Sequence, residues 1–132
     1  MAAKILIVED EMLVAMDLEA ILEDIGHQSV GIVPDLAAAE PFYDAVLDLA
    51  LVDLNLRDGL TGPQIAERLS SRGVPVLFIT ANPRMLGDGI AGTIGVITKP
   101  TDPATVQAAV EYVLGTRAGR QCAPPPSLKL FG

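Results

Sequence analysis

Residues 49–59, LALVDLNLRDG, set an uninterrupted apolar run against a single acid. Leu49, Ala50, Leu51 and Val52 read as a strand covered on both faces, because the run does not alternate and is too short for a buried helix. Asp53 follows at once. An ionised carboxylate where a strand leaves the core is costly unless a cation or hydrogen-bond donors meet it. What meets Asp53 therefore has to come from elsewhere in the chain.

Similar apolar runs recur at residues 5–8 (ILIV), 74–79 (VPVLFI) and 94–97 (IGVI), with a weaker one at 27–33 (HQSVGIV). Helical patterns lie between them. Residues 11–26 put Val14, Leu18, Ile21, Leu22 and Ile25 on one face and end at Gly26. Residues 62–73 place Pro63 in a first turn, bury Ile65 and Leu69, and stop at Gly73. Asn82 before Pro83 predicts the cap of a short helix through Leu86, weakened by Gly87 and Gly89. Residues 102–115 pair an Asp102 cap with Pro103 and bury Val106, Ala109, Val110 and Val113. Residues 35–46 are helical on one side of Pro41. Strand and helix alternating in this way predict an α/β fold around a central parallel sheet.

The chain has 132 residues, enough for one sizeable core, with 50% hydrophobic and 20% charged residues. Its net charge is −8 and it has no basic run, which argues against direct nucleic-acid binding. The lone Cys122 excludes an intramolecular disulfide. Nothing at the N-terminus reads as a signal peptide or membrane span, so a cytoplasmic location is expected. His27 has no acidic or cysteine neighbour and is read as structural.

Ligands of an open parallel sheet sit beyond the carboxyl ends of the strands. Leaving those ends are Glu9 and Asp10, then Asp53, then Thr80, then Lys99 with Pro100. Three carboxylates gathered there repel one another unless a cation joins them, and hard oxygen ligands suit Mg²⁺. Lys99 offers a second positive charge, and Thr80 a hydroxyl. This is the equipment for attack by a carboxylate on phosphorus, which needs charge neutralisation more than proton transfer. Asp53 is expected to be phosphorylated.

The segments ILIVEDE, LALVDLNL, FITA and ITKP stand in the order and spacing of a response-regulator receiver domain, which residues 4–115 resemble. The resemblance implies a doubly wound, five-stranded parallel sheet of order 2-1-3-4-5, the flavodoxin-like receiver fold. It implies that Asp53 is the phosphoacceptor and that Glu9, Asp10 and Asp53, with the backbone carbonyl of Asn55, hold Mg²⁺. Thr80 becomes the switch hydroxyl and Lys99 the phosphate-sensing cation, with Lys99–Pro100 commonly cis. The implied input is a sensor histidine kinase or phosphotransfer protein, and the implied output is docking to a downstream protein or service as a phosphate sink. Locally, FITANPRML resembles the receivers of alphaproteobacterial general-stress regulators, which stand beside an anti-anti-sigma module; here a stand-alone, single-domain response regulator without that module is expected.

One position departs from the family. Many receivers carry an aromatic residue three before the lysine, where this chain has Val96. Two other readings compete. A haloacid-dehalogenase-like phosphatase also uses Asp, Mg²⁺, a hydroxyl and Lys, but it needs an acid two residues after its nucleophile, and Asn55 cannot donate that proton. An unphosphorylated pseudo-receiver scaffold would not need every acid and the lysine in place. The receiver is expected over residues 1–116, followed by a Pro-rich tail, 117–132. In that tail Leu128, Leu130 and Phe131 leave two readings open: a disordered end with incidental apolar residues, or an edge-strand or groove-docking segment, favoured by the alternation of the two leucines, on this domain or on a partner subunit in a homodimer.

Overall fold

The computed structural model of the chain describes residues 2–131. Five strands, β1 (Lys4–Val8), β2 (Gln28–Val33), β3 (Leu49–Val52), β4 (Val76–Thr80) and β5 (Gly95–Thr98), pair in parallel in the order β2-β1-β3-β4-β5. All four residues of β3 are buried, which accounts for its continuous apolar run. Helices α1 (Met12–Asp24), α2 (Leu36–Ala39), α3 (Gly62–Ser71) and α4 (Pro103–Arg117) link the strands.

Side chains alternate across the sheet and divide the core in two. Leu6, Val8, Ala50, Val52, Val76, Phe78 and Val96 pack with Ile65, Ala66 and Leu69 of α3. Ile5, Ile7, Leu49, Leu51, Leu77, Ile79 and Ile97 pack with Ala15, Leu18 and Leu22 of α1 and with Val106, Ala109, Val110 and Val113 of α4. On α1 the stripe is rotated from the expected one: Ala15 joins Leu18 and Leu22 in full burial, while Val14, Ile21 and Ile25 pack at its margin. Asp102 caps α4 by accepting from the Thr105 N–H. His27 accepts from the Ala3 N–H through Nδ1, a structural tie beside β1.

One expectation is corrected. The β4–β5 connection carries a 3-10 turn, Pro83–Leu86, and the Asn82 side chain does not cap it. Gly87, Gly89 and Gly92 all have positive φ there, so the helix cannot continue. The parallel order 2-1-3-4-5 of the receiver fold is as expected, and the tail supplies the suggested edge strand on its own domain: β6 (Leu128–Leu130) pairs antiparallel with β5, making six strands. A short segment far along the chain covers an edge that five strands would leave open.

Among the described residues, no helix is long and apolar enough to cross a membrane.

Candidate functional site

Register brings the chemistry to one edge. Val8 pairs with Val52, Val52 with Phe78, and Thr80 with Thr98, so residues just past these positions converge. Backbone bonds fix the exits: the Asp53 N–H donates to the Val8 carbonyl, Glu9 N–H to Val33, and Lys99 N–H to Thr80.

Asp53 is met on both oxygens. Oδ1 accepts from the Leu54 N–H at 2.7 Å, and Oδ2 accepts from Lys99 Nζ at 2.8 Å. Lys99 Nζ also donates to Glu9 Oε2 at 2.7 Å. Glu9 is buried, and its second oxygen accepts from the Glu11 N–H. The ammonium thus bridges two carboxylates in a site little reached by water, where charge-assisted bonds are strong. Burial raises the Glu9 pKa above the usual carboxylate range despite the nearby lysine. For Lys99, burial pulls downward, but its bonds to Asp53 and Glu9 prevail and raise the pKa above the ordinary value.

Oxygen atoms of Glu9, Asp10, Glu11 and Asp53 all lie within 4.8 Å of one another. This hard, all-carboxylate donor set fits a divalent cation of the Mg²⁺ kind. Four acids against one ammonium leave an excess of negative charge that such an ion offsets. Thr80 is fully buried, and its Oγ1 accepts from the Asn82 N–H at 3.1 Å. Asn55 lies exposed on the loop after β3, and Lys99–Pro100 is cis.

Two residues went unrecognised in the sequence. Glu11 looks like the wet side of a helix, yet it stands at the N-cap of α1 and joins the acidic cluster. Gly62 opens α3 against the Asp53 peptide: a Cβ there would lie 2.0 Å from the Asp53 carbonyl oxygen and 2.7 Å from the Leu54 Cα. Only glycine lets the helix start approach the acid's own backbone so closely. A glycine before proline reads as a turn signal, which masks that role.

Comparison with known proteins agrees with this geometry. The family model for the response regulator receiver domain matches residues 5–111. The phyllosphere-induced regulator PhyR of Methylorubrum extorquens is 39% identical over 118 residues, 86% of this chain and 44% of that protein. The crystal structure of the response regulator PhyR from Brucella abortus superposes with a TM-score of 0.80 at 33% identity, covering 90% of this chain and 50% of that one. The solution structure of the Erythrobacter litoralis PhyR response regulator REC domain gives 0.78 at 31% identity, covering 94% and 95%. The chain spans about half the length of the PhyR proteins from Methylorubrum and Brucella. With the parallel sheet, the acidic edge and the family match in agreement, the chain belongs to the response-regulator receiver-domain family.

Proposed function

We propose that this receiver accepts a phosphoryl group on Asp53 from a histidine kinase or phosphotransfer protein and passes the signal on by protein docking. The observation that carries the reading is the buried Asp53 carboxylate held by Lys99 amid the acidic cluster, with the Thr80 hydroxyl ending the adjacent strand. Glu9, Asp10 and Asp53, with the Asn55 carbonyl, would hold Mg²⁺, and Glu11 supplies a further carboxylate beside them. When bound, the ion neutralises the acids and the incoming phosphoryl oxygens.

The protein's own groups do the rest. Lys99 leaves Asp53 Oδ2, which attacks phosphorus; the bond from phosphorus to the donor nitrogen breaks, and the imidazole keeps that electron pair. Lys99 and the Thr80 hydroxyl then meet the phosphoryl oxygens, while the Leu54 N–H continues to orient Oδ1. No general base is required, because a carboxylate attacks as its anion, unlike a hydroxyl nucleophile, which must lose a proton. Beside the site, Met12, Leu13 and Met16 of α1 are 59%, 80% and 53% exposed, an apolar face on which a phosphodonor's helices can dock.

A PhyR variant from Bartonella quintana that is similar to this chain is an anti-anti-sigma factor, but the similarity covers 51% of that protein. We therefore assign this chain only the phosphorylation-controlled receiver role, and the anti-anti-sigma activity stays with that relative. The reading is tested by incubation with acetyl phosphate, with and without chelator, followed by hydroxylamine. An acyl phosphate that forms only with Mg²⁺ and is cleaved by hydroxylamine is expected. Equal labelling in chelator, or a group that resists hydroxylamine, contradicts it.

A further inference from the structure

β6 is built into the fold as a ligand is built into a groove. Leu128, Lys129 and Leu130 pair with Ile97, Val96 and Gly95, and the Phe131 N–H donates to the Ile94 carbonyl at 3.0 Å. Two glycines make room for it. A Cβ on Gly95 would lie 2.4 Å from the Lys129 carbonyl oxygen, and one on Gly89 would lie 2.4 Å from the Phe131 ring. The ring tilts against Phe78 at 6.3 Å between centroids, within the range of favourable aromatic pairs. It shares the apolar cluster that holds Val96, Leu86 and Ile90. An aromatic group carried by the tail thus lies on the part of the core where β5 offers only Val96.

The attachment is short. β6 has three residues, Leu130 is 41% exposed, and the segment 118–127 before it is largely exposed and without helix or strand. Stiff prolines at 124–126 keep the tail extended even when it is undocked, which lowers the entropic cost of adding a strand.

The slot is tied to the acidic site through Thr80. Its Oγ1 accepts from the Asn82 N–H, which enters the 3-10 turn and the connection bearing Leu86, Gly89 and Ile90. A hydroxyl swinging toward a phosphoryl oxygen on Asp53 leaves that N–H and frees the connection to move off the Phe131 ring. β5 itself runs on into Lys99. From this we infer that the tail is an exchangeable intramolecular ligand of the β5 edge, and that phosphorylation of Asp53 loosens it, opening a strand-addition site for an extended Leu-x-Leu-Phe segment. The inference rests on the phosphoacceptor reading of Asp53.

The test uses the full chain and a fluorescein-labelled peptide of residues 124–132, with binding followed by anisotropy and phosphoryl content by intact mass on the same samples. Phosphorylated protein is expected to bind the peptide at least about fivefold more tightly than unphosphorylated protein, the lower end of common coupling factors. Phe131→Ala, which weakens the resident tail, should give tight peptide binding without phosphorylation. Gly95→Ala should abolish peptide binding while leaving phosphoryl uptake unchanged. A chain that takes up phosphate yet binds the peptide equally in both states overturns the inference and leaves the phosphoacceptor reading standing. Failure to take up phosphate overturns both.

Discussion

Replacing Lys99 by Met keeps most of the apolar stem and removes only the ammonium, so it isolates the charge that meets Asp53. The ammonium makes bonds of 2.7 and 2.8 Å to Glu9 and Asp53. Hydrogen bonds to charged groups contribute about 1.5–3 kcal/mol each, a gross loss of roughly 3–6 kcal/mol. Relief of the lysine's own desolvation, and the freedom of the acids to take up water or a proton, return part of it. The net cost near pH 7 in chelator should be about 2–3 kcal/mol by urea denaturation. Two dependences distinguish this from a packing defect. Mg²⁺ should restore part of the deficit, because the ion supplies the missing positive charge and binds only the folded state. Acid should shrink it as well: the bond and charge of Lys99 pull the Glu9 pKa down against burial, so their loss leaves it higher in the variant than in the wild type, and the folded variant gains more stability as pH falls. Lys99 works in the opposite sense in the wild type. Its raised pKa means that its contribution is intact below 10.5 and is lost as pH climbs beyond its folded value, a decline Lys99→Met should not show. A deficit under about 0.5 kcal/mol, the usual size of a surface change, or one that grows on acidification, would refute the reasoning.

Gly62→Ala should lower stability by about 1–3 kcal/mol, because its Cβ falls 2.0 Å from a backbone oxygen with nowhere to go. Phosphoryl uptake at saturating donor should fall too, since the displaced backbone is that of Asp53 itself; unchanged uptake would show that the close approach does not position the acid. Thr80→Val removes a buried hydroxyl that accepts from the Asn82 N–H, at a cost of about 1 kcal/mol by denaturation. Phosphoryl uptake should persist in that variant while the phosphorylation-dependent gain in peptide binding disappears; a full gain would remove Thr80 from the coupling.

The four short apolar runs at β1, β3, β4 and β5 were legible because strands buried on both faces have little latitude in composition. Their exits then named Glu9, Asp53, Thr80 and Lys99 as neighbours, since parallel register aligns the carboxyl ends. Local pattern failed where a distant contact decided the outcome. The Asn82–Pro83 pair has the chemistry of a helix start, but three positive-φ glycines and a phenylalanine about forty residues along the chain shape that connection instead. The stripe on α1 shifted because Ala15, a weak apolar signal in sequence, is fully buried beside Leu18 and Leu22. Glu11 was hidden because an acid at a helix start looks the same whether it faces water or other acids.

Intact mass of wild type and Asp53→Asn after incubation with acetyl phosphate and Mg²⁺ bears most directly on whether Asp53 is the phosphoacceptor. The wild type should gain the mass of one phosphoryl group, and the Asn variant, which keeps the shape but not the nucleophile, should gain none. A phosphoryl group on the Asn variant, or a wild type that never gains one under conditions that label another receiver, would contradict the account.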